Sequence, residues 1–208
     1  TGIYTGLVAG TTYSVVVTDA KGCASAAIPV TITEPSVLAA TSSVTPFGCN
    51  SGNVAQPAIV TVTATVGTGT APYTYSFNGS GVYSSVNTLV VADNGTDQII
   101  AYSVKDANGC IAPSAAVTVY PQLTANAAVT RELSCSATIP QAQITVTVSG
   151  GRTAYTYEVS ANGGSTYTAM ASNVYTTATA GTYSFRITDA NSCTVTTTAT
   201  VNAISDPT

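Results

Sequence analysis

Apolar and hydroxyl-bearing side chains alternate with a period of two along most of this chain. Tyr13-Ser-Val-Val-Val-Thr18, Ile59-Val-Thr-Val-Thr-Ala-Thr-Val66, Tyr73-Thr-Tyr-Ser-Phe77, Ala116-Val-Thr-Val-Tyr120, Ile144-Thr-Val-Thr-Val148, Tyr155-Thr-Tyr-Glu-Val159 and Tyr183-Ser-Phe-Arg-Ile187 all follow it. In an extended backbone successive side chains point to opposite faces, so such runs predict half-buried strands. Their Val, Ile, Thr and Tyr content suits a pleated surface. No window carries an i, i+3, i+4, i+7 stripe over three turns, and the fold class expected is all-β with helix content near zero.

The strands recur. Pro35, Pro121 and Pro207 stand at an interval of 86 residues (121 − 35 and 207 − 121), and each follows a matching signature: Asp19-Ala-Lys-Gly-Cys23, Asp106-Ala-Asn-Gly-Cys110 and Asp189-Ala-Asn-Ser-Cys193. A regular interval of that length is a repeating domain. It divides the chain into the closing part of one repeat over residues 1–35, a complete repeat over 36–121 and another over 122–208. The second repeat is expected to have strands at 37–44, 58–66, 72–78, 87–92, 98–105 and 114–120. The third is expected to have them at 123–130, 142–149, 154–160, 174–179, 181–188 and 194–203, and the leading fragment at 11–18 and 25–33. Six or seven short strands per unit, punctuated by turns, predict tandem immunoglobulin-like β-sandwiches arranged end to end.

Between the last two strands of each unit, Asp19, Asp106 and Asp189 are placed to accept backbone N–H groups as the first residue of a type I turn. Gly22 and Gly109 are placed to take the positive φ that closes it. Ser192 replaces that glycine in the third copy, which predicts a more strained or differently shaped turn.

Charge removes several function classes. Charged residues are 7% of the chain and the five cations stand singly, leaving nothing to neutralise a nucleic-acid backbone. A hydrophobic content of 45% is the reverse of a disordered composition. No run approaches the about 20 apolar residues that cross a bilayer as a helix, so no membrane span is expected in this segment. The opening Thr1-Gly-Ile-Tyr4, in mid-repeat and without initiator methionine or signal peptide, is expected of a window within a longer polypeptide. There is no histidine, which removes Ser-His-Asp and Cys-His machinery, and the nine carboxylates sit in turns or singly. No catalytic residue and no cofactor are expected.

A set of pieces recurs across the whole chain: Gly181-Thr-Tyr183, Asp106 to Cys110, Ala71-Pro-Tyr-Thr-Tyr75, Gly150-Gly-Arg-Thr-Ala-Tyr155 and Cys49-Asn-Ser-Gly52. Together they resemble the SprB-type repeat of very large surface adhesins in gliding Bacteroidota. Two departures stand out. The family's Trp after Tyr-Thr-Tyr is Phe77 in one unit and Val159 in the next, and Cys135-Ser-Ala-Thr lacks the glycine-containing run. The resemblance implies export to the cell surface and a mechanical role in adhesion, motility or filament formation. The partners it implies are other repeats of the same or like chains.

Five cysteines fall into two classes: Cys23, Cys110 and Cys193 after the turn, and Cys49 and Cys135 upstream. Exported chains form disulfides by default, and the spacing without His or acidic company speaks against zinc. Three pairings stay open. Cys49–Cys110 and Cys135–Cys193 within units are the simplest and leave Cys23 with no partner in this chain. Cys49–Cys193 would staple neighbouring units, and Cys23–Cys49 would fold the linker back. Against the first stands geometry, since the first-strand exit and the last hairpin lie at opposite poles of a sandwich while bridged Cα atoms lie within about 7 Å.

Two ligand readings compete with blander ones. Asp93-Asn-Gly-Thr-Asp97 puts two carboxylates on a short loop, so Asp93 and Asp97 are weak calcium candidates, without the ligand ladder of a dedicated site. Tyr73, Tyr75, Tyr155, Tyr157 and Tyr167 could stack on sugars, which would make the chain a carbohydrate-binding array with surface glycans as partners. Core packing is the favoured reading of the Tyr73/Tyr75 pair, since the pair recurs at the same place in each unit. Asn78-Gly-Ser80 and Asn94-Gly-Thr96 read better as turns than as glycosylation acceptors. The expectation is an extracellular stalk or filament segment, with the cysteines, the aspartate turns and the boundary prolines Pro35 and Pro121 as its structural residues.

Overall fold

The computed structural model describes residues 2–34, 36–49, 54–135, 138 and 140–204. Pro35 and Pro207, two of the three markers of the interval, and the Asn50–Gly52 run beyond Cys49 lie outside the described residues.

The leading fragment forms one hairpin of β1 (Thr12–Val15) and β2 (Ile28–Thr31). The second repeat contributes β3 (Ala40–Thr45), β4 (Ala58–Ala64), β5 (Thr74–Phe77), β6 (Thr88–Val91), β7 (Gln98–Lys105) and β8 (Ala115–Val119). The third contributes β9 (Thr124–Arg131), β10 (Ala142–Ser149), β11 (Thr156–Ser160), β12 (Thr168–Met170), β13 (Val174–Thr177), β14 (Gly181–Thr188) and β15 (Thr194–Val201). β12 was not expected, and it adds an edge strand by pairing Tyr157 with Met170.

Each complete repeat is a sandwich of two antiparallel sheets. In the second, β3-β4-β6 covers β5-β7-β8; in the third, β9-β10-β13 covers β12-β11-β14-β15. In each repeat the first strand pairs with the second, and the third strand pairs with the one before the last (β5 with β7, β11 with β14), so the chain crosses between layers as in immunoglobulin domains. The alternation explains why the layers close. On β4 Ala58, Val60, Val62 and Ala64 point inward while Ile59 and Thr63 face solvent, and on β10 Ala142, Ile144 and Val146 do the same. They meet Ile100, Tyr102 and Val104 of β7, and Tyr183, Phe185 and Ile187 of β14. Burying each large side chain contributes about 1.5–3 kcal/mol. The two cores share no residue.

Strand direction fixes what lies at each pole. In the second repeat, Leu38, the 67–70 loop and the 106–110 turn gather at the near pole; Thr45 to Cys49, Ala92 to Asp97 and Tyr120 gather at the far one. The near pole of the third repeat is built likewise from Leu123, Gly150 to Arg152 and the 189–193 turn. The far pole of one therefore meets the near pole of the next.

The leading hairpin has no such cover. Val16, Val17, Ile28 and Val30 are exposed, and its inner face carries an apolar groove bounded by Tyr4, Leu7, Tyr13 and Ile32.

Candidate functional site

The turn before the last strand of each complete repeat is tied down by one carboxylate. Asp106 Oδ1 accepts the N–H groups of Asn108 at 2.9 Å and Cys110 at 2.8 Å, and Oδ2 accepts that of Thr70 at 3.0 Å. Asp189 repeats this with Asn191 at 2.8 Å, Cys193 at 2.9 Å and Arg152 at 2.8 Å. The carboxylate thus joins the turn to the loop between the second and third strands. A further backbone bond, Ala107 N–H to the Thr70 carbonyl or Ala190 N–H to that of Arg152, closes the same contact. Both aspartates are buried. Burial alone would raise the Asp106 carboxyl, but the N–H groups of Thr70, Cys110 and Asn108 outweigh it and hold it below the usual carboxylate value. In the leading fragment Asp19 accepts, among the described residues, only the Lys21 and Cys23 N–H groups on its side chain, and it is exposed.

Gly22 and Gly109 both take φ of +85°. Ser192, in the same place, takes φ of +65°, a left-handed conformation that costs a residue with a Cβ about 1 kcal/mol.

Between the second and third repeats these poles are joined covalently. Cys49 and Cys193 form a disulfide with Cα atoms 4.9 Å apart across a sequence separation of 144. The expected within-unit bridges, Cys49–Cys110 and Cys135–Cys193, are corrected by this bond. Within one sandwich the two cysteine classes sit at opposite poles, whereas across the junction they face each other. Cys23, Cys110 and Cys135 carry exposed free thiols.

Polar contacts reinforce the joint. Asp93 Oδ2 accepts the Gln122 N–H at 3.0 Å, and its Oδ1 accepts that of Gly95 at 2.9 Å. Both oxygens of this calcium candidate are thus engaged by backbone donors, one of them on the following repeat. Neither Asp93 nor Asp97 joins a cluster of three metal-ligating side chains among the described residues. Pro121 is buried, and its carbonyl accepts the Gly151 N–H at 2.8 Å. The loop and linker approach so closely that a Cβ on Gly150 would fall 2.0 Å from the Gln122 carbonyl oxygen. The Arg152 guanidinium stands 5.9 Å from the centre of the Tyr120 ring, above a cleft floored by Val44, Pro46 and Asn191.

The tyrosines considered as sugar platforms have other work. Tyr73 and Tyr75 pack against the second core, and Tyr155 and Tyr157 against the third. Tyr73 and Tyr155 each donate their hydroxyl to a carbonyl five residues upstream, Thr68 at 2.8 Å and Gly150 at 2.7 Å. One face of the Tyr167 ring is covered by Arg186 at 4.3 Å, and its hydroxyl meets Ser184. Sequence reasoning passed over that arginine, which also forks onto Glu158 at 2.6 and 2.9 Å. The Arg186 hydrogen bonds hold the Glu158 carboxyl below its ordinary value against the opposing effect of burial. Glu158 and Arg186 lie opposite each other on β11 and β14, a register that alternation could have revealed.

No protein-family model and no curated protein matches the chain. Among solved structures it is similar to the three N-terminal domains of the bacteriophage RB49 Highly Immunogenic Outer Capsid protein. That match is 15% identical, covers 79% of this chain and 58% of that one, and has a TM-score of 0.37. It is also similar to the D00-D0 domain of intimin, at 10% identity over 78% of this chain and 100% of that one, with a TM-score of 0.36.

Proposed function

We propose that this chain is a segment of a non-enzymatic, extracellular structural and adhesive protein: a stalk or filament-forming stretch of a large bacterial surface adhesin of the SprB type. The observation that carries the reading is the Cys49–Cys193 bond between consecutive sandwiches. Structural disulfides persist in oxidising compartments, which favours a place outside the cytoplasm.

The chemistry of the joint suits load-bearing. A flexible linker would let neighbours swivel. Here the bridge, the Asp93–Gln122 bond and the tight packing of Gly150 on the linker restrain one junction from several sides. Within the third repeat, β9 and β15 run in the same direction from near to far pole, and the Ala127 N–H bonds Thr197 Oγ1 between them. Tension on the two ends of such a unit shears these strands past one another instead of peeling them apart. A surface wetted by Thr, Ser and Asn with few charges keeps the array soluble while lacking a field to attract polyelectrolytes.

Antibodies raised against the chain test the proposal on intact cells of its source. The expected result is gold label along thin projections from the cell surface. Label found only after the cells are broken open would overturn it.

A further inference from the structure

We infer that Cys110 and Cys135 are half-sites of two further staples, each completed by another repeat of this type in the register of Cys49–Cys193. Cys110 receives the upstream cysteine of a preceding repeat, and Cys135 joins the turn cysteine of a following one. The inference rests on the tandem-array reading above.

The formed bridge shows what each class does. Cys193 ends an aspartate turn and is buried, at 4% exposure, where the far pole of the previous repeat covers it. Cys110 ends the same turn, held by the same three N–H bonds to Asp106, yet its thiol is exposed and unbonded. Beside it a cleft bounded by Val37, Leu38, Asn108 and Ile111 lies open at the near pole. On the third repeat the cleft beside Arg152 and Asn191 takes the rest of its lining, including Val44, Pro46, Cys49 and Tyr120, from the second. Cys135 stands 86 residues after Cys49 (135 − 49), on the segment following β9 as Cys49 follows β3, and is likewise exposed and unbonded. One class gives and the other receives. The occupant that fits both vacant half-sites is a further copy of the module.

Bridge formation needs an oxidant, supplied by a small-molecule or enzyme disulfide. One thiolate attacks that disulfide and expels a thiolate. The second cysteine thiolate then attacks the mixed disulfide and expels the other. Two protons and two electrons leave the cysteine pair, and the oxidant ends as two thiols.

The test appends a second copy of residues 122–208, carrying Cys135→Ser so that the Cys135 peptide is unique, to the whole chain and refolds it with oxidised glutathione. Trypsin cuts after Arg131, Arg152 and Arg186, which puts Cys135 and each turn cysteine on separate peptides. The two turn peptides differ in mass because the first runs on into the appended repeat. The expected digest joins Cys135 to the turn peptide of the appended copy, beside the Cys49–Cys193 linkage. Alkylation finds two free thiols, Cys23 and Cys110, where the original chain has three and an unformed staple would leave four. A Cys135 that stays alkylatable, or joins any other cysteine, overturns the inference, as does loss of the Cys49–Cys193 linkage that sets the register. Surface labelling of intact cells is independent of these outcomes, so a failed staple does not sink the stalk reading, nor the reverse.

Discussion

In the second repeat Asp106 closes its turn with Gly109 at the left-handed position and leaves Cys110 in solvent; in the third Asp189 closes the same turn with Ser192 there and Cys193 buried in a bridge. In both, the carboxylate accepts N–H groups from the same three backbone positions, with Thr70 in one and Arg152 in the other on the loop, so the anchor to the neighbouring loop is the part the module keeps. The glycine is dispensable where a disulfide holds the next residue in place. The cores differ in the same spirit. Leu89, Ile100 and Tyr102 of the second repeat are matched by Tyr175, Tyr183 and Phe185 of the third, whose rings contact one another with centroids 5.3 and 6.1 Å apart. Tyr183 donates its hydroxyl to the Thr179 carbonyl, a corner bond that Ile100 has no atom to make. One fold thus tolerates two packings, provided the poles present the same groups.

Core substitutions break this comparison hardest. Phe185→Ala should cost the third repeat about 3–5 kcal/mol, and Tyr102→Ala a similar amount in the second. Because the cores share no residue, calorimetry should show each change lowering one transition and sparing the other. A single transition that moves with either change would mean that the repeats fold as one body.

Next come the anchors. Asp106→Ala or Asp189→Ala strands three backbone donors and should cost the affected repeat about 2–3 kcal/mol in urea unfolding. For Asp106 the sign with pH follows from its lowered carboxyl. Its contribution is full above the ordinary carboxylate range and fades as pH falls through the lowered folded value, so the penalty of Asp106→Ala should shrink in acid.

The turn residue sharpens the comparison more finely. Ser192→Gly should stabilise the third repeat by about 1 kcal/mol by relieving the left-handed serine, and Gly109→Ser should cost the second a similar amount. Smallest is Glu158→Gln, which removes a partly exposed pair worth about 0.5 kcal/mol from the third repeat alone. That difference should diminish in high salt, and also as pH falls through the lowered value of Glu158.

Most of the fold was legible because alternation and interval are local or strictly periodic signals. β12 escaped because Thr168-Ala-Met170 is too short to display a period of two and exists only by pairing with Tyr157 to Val159. The junction escaped for another reason. The partner of Cys49 depends on which pole each cysteine reaches, and sequence spacing fits a bridge within a unit as well as one between units. Asp93 reads as a metal candidate because it shares a short loop with Asp97, and its second partner, the Gln122 N–H, is hidden from that loop because it belongs to the next repeat. The tyrosines were ambiguous because a recurring same-face pair suits a platform and a core alike, and only their packing against the core of each repeat distinguishes the two.

The covalent joint between consecutive sandwiches is tested most directly by peptide mapping of the oxidised chain without reduction. Trypsin leaves Cys110, Cys135 and Cys193 on three different peptides, and chymotryptic cleavage after Phe47 parts Cys49 from Cys23. The account predicts that the Cys193 peptide is joined to the peptide carrying Cys49, with Cys110 and Cys135 alkylated. A Cys135–Cys193 linkage, or Cys110 joined to the Cys49 peptide, would contradict it.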